Sequence, residues 1–411
     1  MMHRRMFLRD GGLAVVGLST VPAFLYRTVM AAAPAGRRKT LVIIFQRGGA
    51  DGLNTVVPFG DAAYYEHRPG IAIPAPGKGE GAALDLDGFF ALHPALRPLL
   101  PLYKDGHLGI VNAVGSPDTG GRSHFQAQDF MESGAPGNKT ISTGWLNRYL
   151  LSVPIPDRTP LRATAIGESL PKALRGPAPA LTLGALDQFV MSASSYYESL
   201  YSRDANALLT GTAREMFDAV KLLKAARPEQ YQPAKGANYF AGDNDRASIG
   251  RGLLQVAQLI KANVGLQVAF VDVSGGWDTH TNQAQRLPAL LRNYGQALAA
   301  FHQDLGDRME DVVLITMSEF GRTARENGSG GTDHGHANLM FVMGGPVKGG
   351  KSYGRWPGLA KEQLNEDRDL ALTTDFRDVL AEVIVQHLGC EKPEAVFPGY
   401  AVDRNRFKGL L

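Results

Sequence analysis

Val268-Ala269-Phe270-Val271-Asp272-Val273 and Val312-Val313-Leu314-Ile315-Thr316-Met317 are two short β-branched runs, and what lies between and beyond them decides the fold. Apolar runs of this length read as strands buried on both faces, the chemistry of a parallel sheet. Between them, Leu287, Leu291, Tyr294, Leu298, Phe301 and Leu305 advance by four and three residues, one continuous apolar face of a long helix. Strand, helix, strand is a crossover unit, and it supports a parallel sheet. The first run stops at Gly275-Gly276-Trp277-Asp278-Thr279-His280. The second stops at Ser318-Glu319-Phe320-Gly321-Arg322 and then, past a glycine-rich link, at Gly331-Thr332-Asp333-His334-Gly335-His336. Open α/β sheets bind ligands outside the carboxyl ends of their strands, so these polar residues fall where such a sheet puts its site.

Working outward, Thr40 to Phe45 is a first strand, followed by Arg47-Gly48-Gly49-Ala50-Asp51-Gly52-Leu53-Asn54-Thr55. Asp51 stands at that strand's carboxyl edge, where it is either a ligand or simply half of an Asp-Gly turn. Pro58 to Asp87 is rich in Pro and Gly without a period and reads as a surface loop. Leu92-His93-Pro94-Ala95-Leu96 opens a short helical pattern, and Leu108 to Val114 is a second strand leading to Gly121-Arg122-Ser123-His124-Phe125. A helix from about His124 to Met131 puts Ser123 at its N-cap. Capping is one role for that serine. The positive dipole end and free N–H donors around it also suit a nucleophile that attacks an anionic ester.

Residues 145–245 read as an insertion or cap, with a short helix near Trp145, strands near Leu161 to Ile166 and Leu181 to Leu183, a helix from about Tyr196 to Ala225, and a polar linker from Pro228 to Asn244. Leu253, Leu254, Val256, Ala257 and Ile260 form another helical stripe. Leu339 to Met343 adds a strand, and Asp375-Phe376-Arg377 begins a last helix that runs through Leu388 to a stop at Gly389.

The chain has 411 residues, 44% hydrophobic and 20% charged, long enough for one large α/β domain with insertions. A net charge of +3 is too balanced for a nucleic-acid or membrane-surface partner. The single cysteine, Cys390, excludes an intramolecular disulfide and a cysteine-based zinc site. Residues 1–33 read as a targeting segment. His3-Arg4-Arg5-Met6-Phe7-Leu8-Arg9 resembles a twin-arginine export signal, Met30-Ala31-Ala32-Ala33 offers small residues for cleavage, and the apolar run between is too short and interrupted for a stable membrane span. The expected location is the periplasm or the exterior, reached folded through the twin-arginine export machinery.

Asp51, Asp278, Glu319 and Asp333, with His280, His334 and His336, all lie at or just beyond strand ends. Gathering carboxylates out of water costs several kcal/mol each unless a cation offsets them. Hard oxygen donors with imidazole and no thiolate suit a divalent metal, Zn, Mn, Mg or Ca.

The segments Arg47 to Thr55, Leu92 to Leu96, Ser123-His124-Phe125, Gly276 to His280, Ser318 to Arg322 and Gly331 to Gly335, in that order, resemble the DUF1501 family of exported bacterial proteins. That family is grouped with the alkaline phosphatase-like superfamily. The resemblance implies a three-layer sandwich around a doubly wound, mostly parallel sheet, with one or two metal sites acting on phosphate or sulfate esters. It makes Asp51 the early ligand, Ser123 the nucleophile, Asp278 and His280 a ligand pair, and His334 or His336 the late histidine. Where the superfamily has a second Asp-His pair, this chain has Glu319-Phe320, and Phe320 cannot ligate. Arg47, Arg122 or Arg322 would hold ester oxygens, with Asn54 and His93 in the substrate pocket and His124 as a second acid/base group. The expected substrate is a small anionic ester or a sulfated or phosphorylated glycan. The competing expectation is a noncatalytic exported binding or scaffold protein, with Arg47, Arg322 and Arg377 neutralising the carboxylates in place of metal.

Overall fold

The computed structural model describes residues 37–118, 122–155, 159–186, 218–225, 230–242 and 249–411. Its main sheet has nine strands, in chain order β1 (Thr40–Arg47), β2 (Leu108–Gly115), β3 (Ala163–Ile166), β4 (Leu181–Leu183), β5 (Val268–Ser274), β6 (Val312–Ser318), β7 (Asn338–Gly344), β8 (Ser352–Tyr353) and β9 (Thr374–Asp375). Five helices matter below: α1 (His124–Ser133), α2 (Trp145–Ser152), α3 (Ile249–Lys261), α4 (Gln283–Leu305) and α5 (Phe376–Gln386).

β1 is central because it is apolar in both directions. Val42 and Ile44 face one core and Leu41, Ile43 and Phe45 the other. β5 and β6 flank it in parallel register, so that Leu41 is level with both Val268 and Val313. The spatial order is β8, β2, β7, β6, β1, β5, β3, β4, with β9 also on β2. α3 and α4 cover the first face and α2 and α5 the second, giving the expected three layers. The stripe Leu287, Leu291, Tyr294, Leu298, Phe301 and Leu305 is buried throughout. Burial of such side chains contributes about 1.5–3 kcal/mol each.

Three features differ from the sequence reading. β7 runs antiparallel to both neighbours, β2 and β6. Chain leaving β6 at the carboxyl rim re-enters the sheet from that same rim, so residues 319–337 stay there as a single loop. The second difference concerns residues 145–245. β3 and β4 extend the main sheet in parallel beside β5, so this stretch supplies sheet edge as well as surface. The region expected as a loop from Pro58 to Asp87 contains a helix, Ala62–His67, and a strand, Leu84–Asp85, of a small antiparallel sheet. The leader, residues 1–33, and most of the helix expected from Tyr196 lie outside the described residues; residues 218–225 are helical. No described helix is long and apolar enough to cross a membrane.

Candidate metal centre

The rim is built from three chain reversals locked to one another. β1 ends in Gly48 and Gly49, both with positive φ, and a Cβ on Gly48 would lie 2.9 Å from the Asp278 nitrogen. Only glycine lets these two loops touch. Arg322, buried, then ties them together: Nε donates to Gly49 O at 2.6 Å, Nη1 to Thr332 O at 3.1 Å, and Nη2 to Gly48 O at 3.0 Å and Trp277 O at 3.2 Å. It also holds the Asp278 carboxylate. Arg322, expected to grip ester oxygens, is instead a crosslink of backbone carbonyls that positions Asp278. Gly335 packs against the Arg322 backbone, where a Cβ would sit 2.4 Å from its carbonyl carbon, and the Arg322 to His334 bridge brings the histidine loop alongside.

Asp278, His280 and His334 meet there with His124, the first residue of α1. Asp278 Oδ1 is 3.1 Å from His280 Nε2 and 3.3 Å from His334 Nε2, and those two nitrogens are 3.0 Å apart. His124 Nε2 is enclosed, makes no hydrogen bond, and lies 3.5 Å from Asp278 Oδ2. One ligand atom from each of His124, Asp278 and His334 fits within 4.8 Å of the others.

Every imidazole is held from behind. His124 Nδ1 is 2.7 Å from Glu319 Oε1, His280 Nδ1 is 2.9 Å from Asp333 Oδ1, and His334 Nδ1 is 2.9 Å from the Arg122 carbonyl. Glu319 is buried and also accepts from Gly48 N at 2.8 Å and Gln128 Nε2 at 2.9 Å. Burial would raise its carboxyl, but the His124 and Gln128 bonds with the Gly48 N–H hold it below the usual carboxylate range. The Glu319 bond raises His124 above an ordinary histidine. Burial lowers His334, and the charges of His124 and Arg322 add to that. Burial opposes ionisation of Asp278, yet the Arg322 bond keeps it low, and the His280 bond does the same for Asp333.

The other expected residues lie elsewhere. Asp51 is fully buried: it caps the one-turn helix Gly52–Thr55 through Leu53 N and Asn54 N, pairs with Arg68 Nη1 at 2.6 Å and accepts from Gln283. Its acceptor positions are filled by these donors, and it is not among the residues that come together as His124, Asp278 and His334 do. Asn54 belongs to the same network, accepting from Arg68 at 2.7 Å and Tyr64 at 2.8 Å. His93 accepts the Ala95 N–H at 3.0 Å as a helix cap, and burial pushes its pKa down to about 4. His336 faces the Ser116 carbonyl at 2.9 Å. Arg47 is engaged by Asp272, Glu132 and Gln128. Arg122 is held by Asp369 and Glu366. Ser123 occupies the N-cap of α1 but makes no capping bond, and its exposed side chain has no hydrogen-bond partner among the described residues.

Arg68, Gln283 and Gln128 were not anticipated. Gln128 was within reach of the sequence, because His124, Gln128 and Glu132 recur every four residues on one helix face. Arg68 lies in a Pro/Gly-rich stretch that carries no such period.

The chemistry of the donor set fits a cation: an enclosed nitrogen without a partner, and imidazole and carboxylate lone pairs aimed at one point. A family model described as "Protein of unknown function (DUF1501)" matches residues 113–396. No curated protein matches. A solved protein in the alkaline phosphatase superfamily from Vibrio parahaemolyticus aligns over 86% of this chain and 71% of its own, at 13% identity and a TM-score of 0.30, too distant for any property to be carried across. The family match spans well over half of the sequence and includes every residue of the imidazole cluster, and on that ground the chain belongs to the DUF1501 family.

Proposed function

We propose that this chain is an exported, metal-dependent hydrolase of phosphate or sulfate esters, working in the periplasm or outside the cell after twin-arginine export. The carrying observation is the convergence of His124, Asp278 and His334 at the carboxyl rim of a parallel sheet. The exposed hydroxyl of Ser123, next in sequence to His124 at the start of α1, supports the choice of reaction. A divalent ion held by His124, Asp278 and His334 would supply positive charge against an ester oxygen and favour an ionised nucleophile. Ser123 would attack phosphorus or sulfur in line, forming a serine ester as the alcohol departs, and water would then cleave that ester and restore the hydroxyl. Arg322 acts from behind by fixing Asp278, and Glu319 and Asp333 fix the imidazoles. Charge from the substrate side would come from Arg368, whose Nη2 donates to the His334 carbonyl at 2.9 Å, since Arg122 is already paired with Asp369 and Glu366.

A noncatalytic binding protein is the second reading. It is favoured by one observation, that Arg322 already neutralises Asp278. Turnover of aryl phosphate and aryl sulfate panels by natively exported protein, with Ser123→Ala alongside, separates the two. Hydrolysis abolished by Ser123→Ala supports the enzyme. Bound metal without turnover of either ester class supports the binding protein, and turnover unchanged in Ser123→Ala removes the serine as nucleophile.

A further inference from the structure

The orientation of the three imidazoles says more than their proximity. A backbone carbonyl only accepts, so the 2.9 Å contact of His334 Nδ1 with Arg122 O puts the proton on Nδ1 and leaves Nε2 as a lone pair. His280 and His124 are set the same way by the carboxylates of Asp333 and Glu319. With those outer bonds made, the Nε2 atoms of His280 and His334 face each other at 3.0 Å, beside a carboxylate oxygen 3.1 and 3.3 Å away. Three electron-rich atoms at those distances repel unless a positive charge sits among them. A histidine whose outer N–H is held by carboxylate or carbonyl is also the usual arrangement behind a metal.

The charges agree. The carboxylates that touch the three rings are Asp278, Glu319 and Asp333; Arg322 pairs with Asp278 alone, and Arg368 reaches this cluster only at the His334 carbonyl. Among the described residues Glu319 and Asp333 have no Lys or Arg in contact, an excess of negative charge around the rings that a divalent ion offsets. Asp51, the carboxylate from which a second centre would start, is already neutralised by Arg68 and saturated by N–H donors.

Resting on the metal-dependent reading, we infer that the rim holds one divalent ion of the zinc class per chain, on His124, His280, His334 and Asp278. Glu319 and Asp333 are outer positioning residues and Asp51 takes no part. Three imidazoles to one carboxylate favour Zn over the oxygen-seeking Mg and Ca.

The test is titration of chelator-stripped, natively exported protein with Zn2+ and, separately, Co2+, followed by calorimetry and by the visible absorption of bound cobalt. One ion per chain is expected, undisturbed by an equal concentration of Mg2+ or Ca2+. His280→Ala should remove the cobalt band seen in the unsubstituted protein. Glu319→Gln should keep the stoichiometry and weaken binding by about 10–100-fold, the usual effect of an outer partner. His336→Asn, whose ring faces Ser116, should bind as the unsubstituted protein does. Should His280→Ala fail to fold, as judged by near-ultraviolet circular dichroism, His280→Asn replaces it. Two ions per chain, competition by Mg2+ or Ca2+, or an unaltered cobalt spectrum in the His280 variant would each overturn the inference. Absence of any zinc or cobalt binding would overturn it together with the metal-dependent reading. One bound ion without ester turnover would sink the hydrolase reading alone and leave the site standing.

Discussion

Replacing Arg68 with methionine tests the claim that this guanidinium, not a metal, balances the carboxylate at the end of β1. Both side chains of the pair are fully buried and 2.6 Å apart. Arg68 also donates to Ala324 O at 2.9 Å, Thr323 O at 2.8 Å and Asn54 Oδ1 at 2.7 Å, so it closes the region of Tyr64 and Ile71 over the sheet end. Removing one partner of a buried ion pair costs about 3–5 kcal/mol, because the other charge remains without compensation. Two backbone carbonyls also lose their donor, at about 1–3 kcal/mol each where no water replaces it. The terms overlap in one network and do not add, so a loss of about 5 kcal/mol is expected in urea unfolding followed by tryptophan fluorescence. Asp51→Asn removes the stranded charge. The double variant should therefore be more stable than the sum of the single losses predicts, by about 1–3 kcal/mol. A loss below about 1 kcal/mol for Arg68→Met, or strict additivity in the cycle, would refute the reasoning. Metal content offers an independent check: Asp51→Asn should retain as much metal as the unsubstituted protein, because Asp51 lies outside the imidazole cluster.

Three other outcomes are expected. Gly48→Ala forces a side chain into a turn with φ +125° and against the Asp278 nitrogen, a strain of about 1–3 kcal/mol; metal affinity should fall with it, and unchanged affinity in the folded variant would contradict the role given to this turn. His93 and His387 are held neutral by burial with pKa values of about 4 against an ordinary 6.5. The unfolded chain therefore takes up protons first as pH falls, and stability declines from about pH 6.5 to about pH 4 by about 3 kcal/mol per residue, then levels off. His387→Asn should make that decline shallower in denaturant titrations run at several pH values, and an unchanged slope would remove His387 as a contributor. Asp304, buried beneath Lys261 Nζ, Tyr239 Oη and Ala234 N, each at 2.7 Å, pins residues 230–242 to α4. Asp304→Ala should cost about 3–5 kcal/mol and open this segment to limited proteolysis, and a cleavage pattern identical to that of the unsubstituted protein would count against it.

Much of the sheet was legible because period and composition encode burial. β1, β2, β5, β6 and α4 fall where their apolar runs and stripes put them, and so does the Ser123 N-cap position. The direction of β7 was not legible. Asn338–Gly344 is as apolar read backwards as forwards, and only the return of the chain to the rim it left decides that β7 is antiparallel. The site was half legible for a related reason. Asp278, His280 and His334 follow strand ends and could be assigned to the rim from the strands alone. Whether a carboxylate there is a ligand, an outer partner or one half of an ion pair depends on what approaches it from elsewhere in the chain. Asp51 shows the difficulty most clearly, since Arg68 reaches it from a segment without any period, and the Asp-Gly turn reading contained more of its role than the ligand reading did. Glu319 makes the same point in the other direction. It stands at the end of β6, where the sequence reading placed a ligand, yet its carboxylate turns to the back of His124 and draws a histidine from another element into the cluster. The histidine that joins Asp278 and His334 thus comes from α1, a meeting between distant parts of the chain that no local motif could announce.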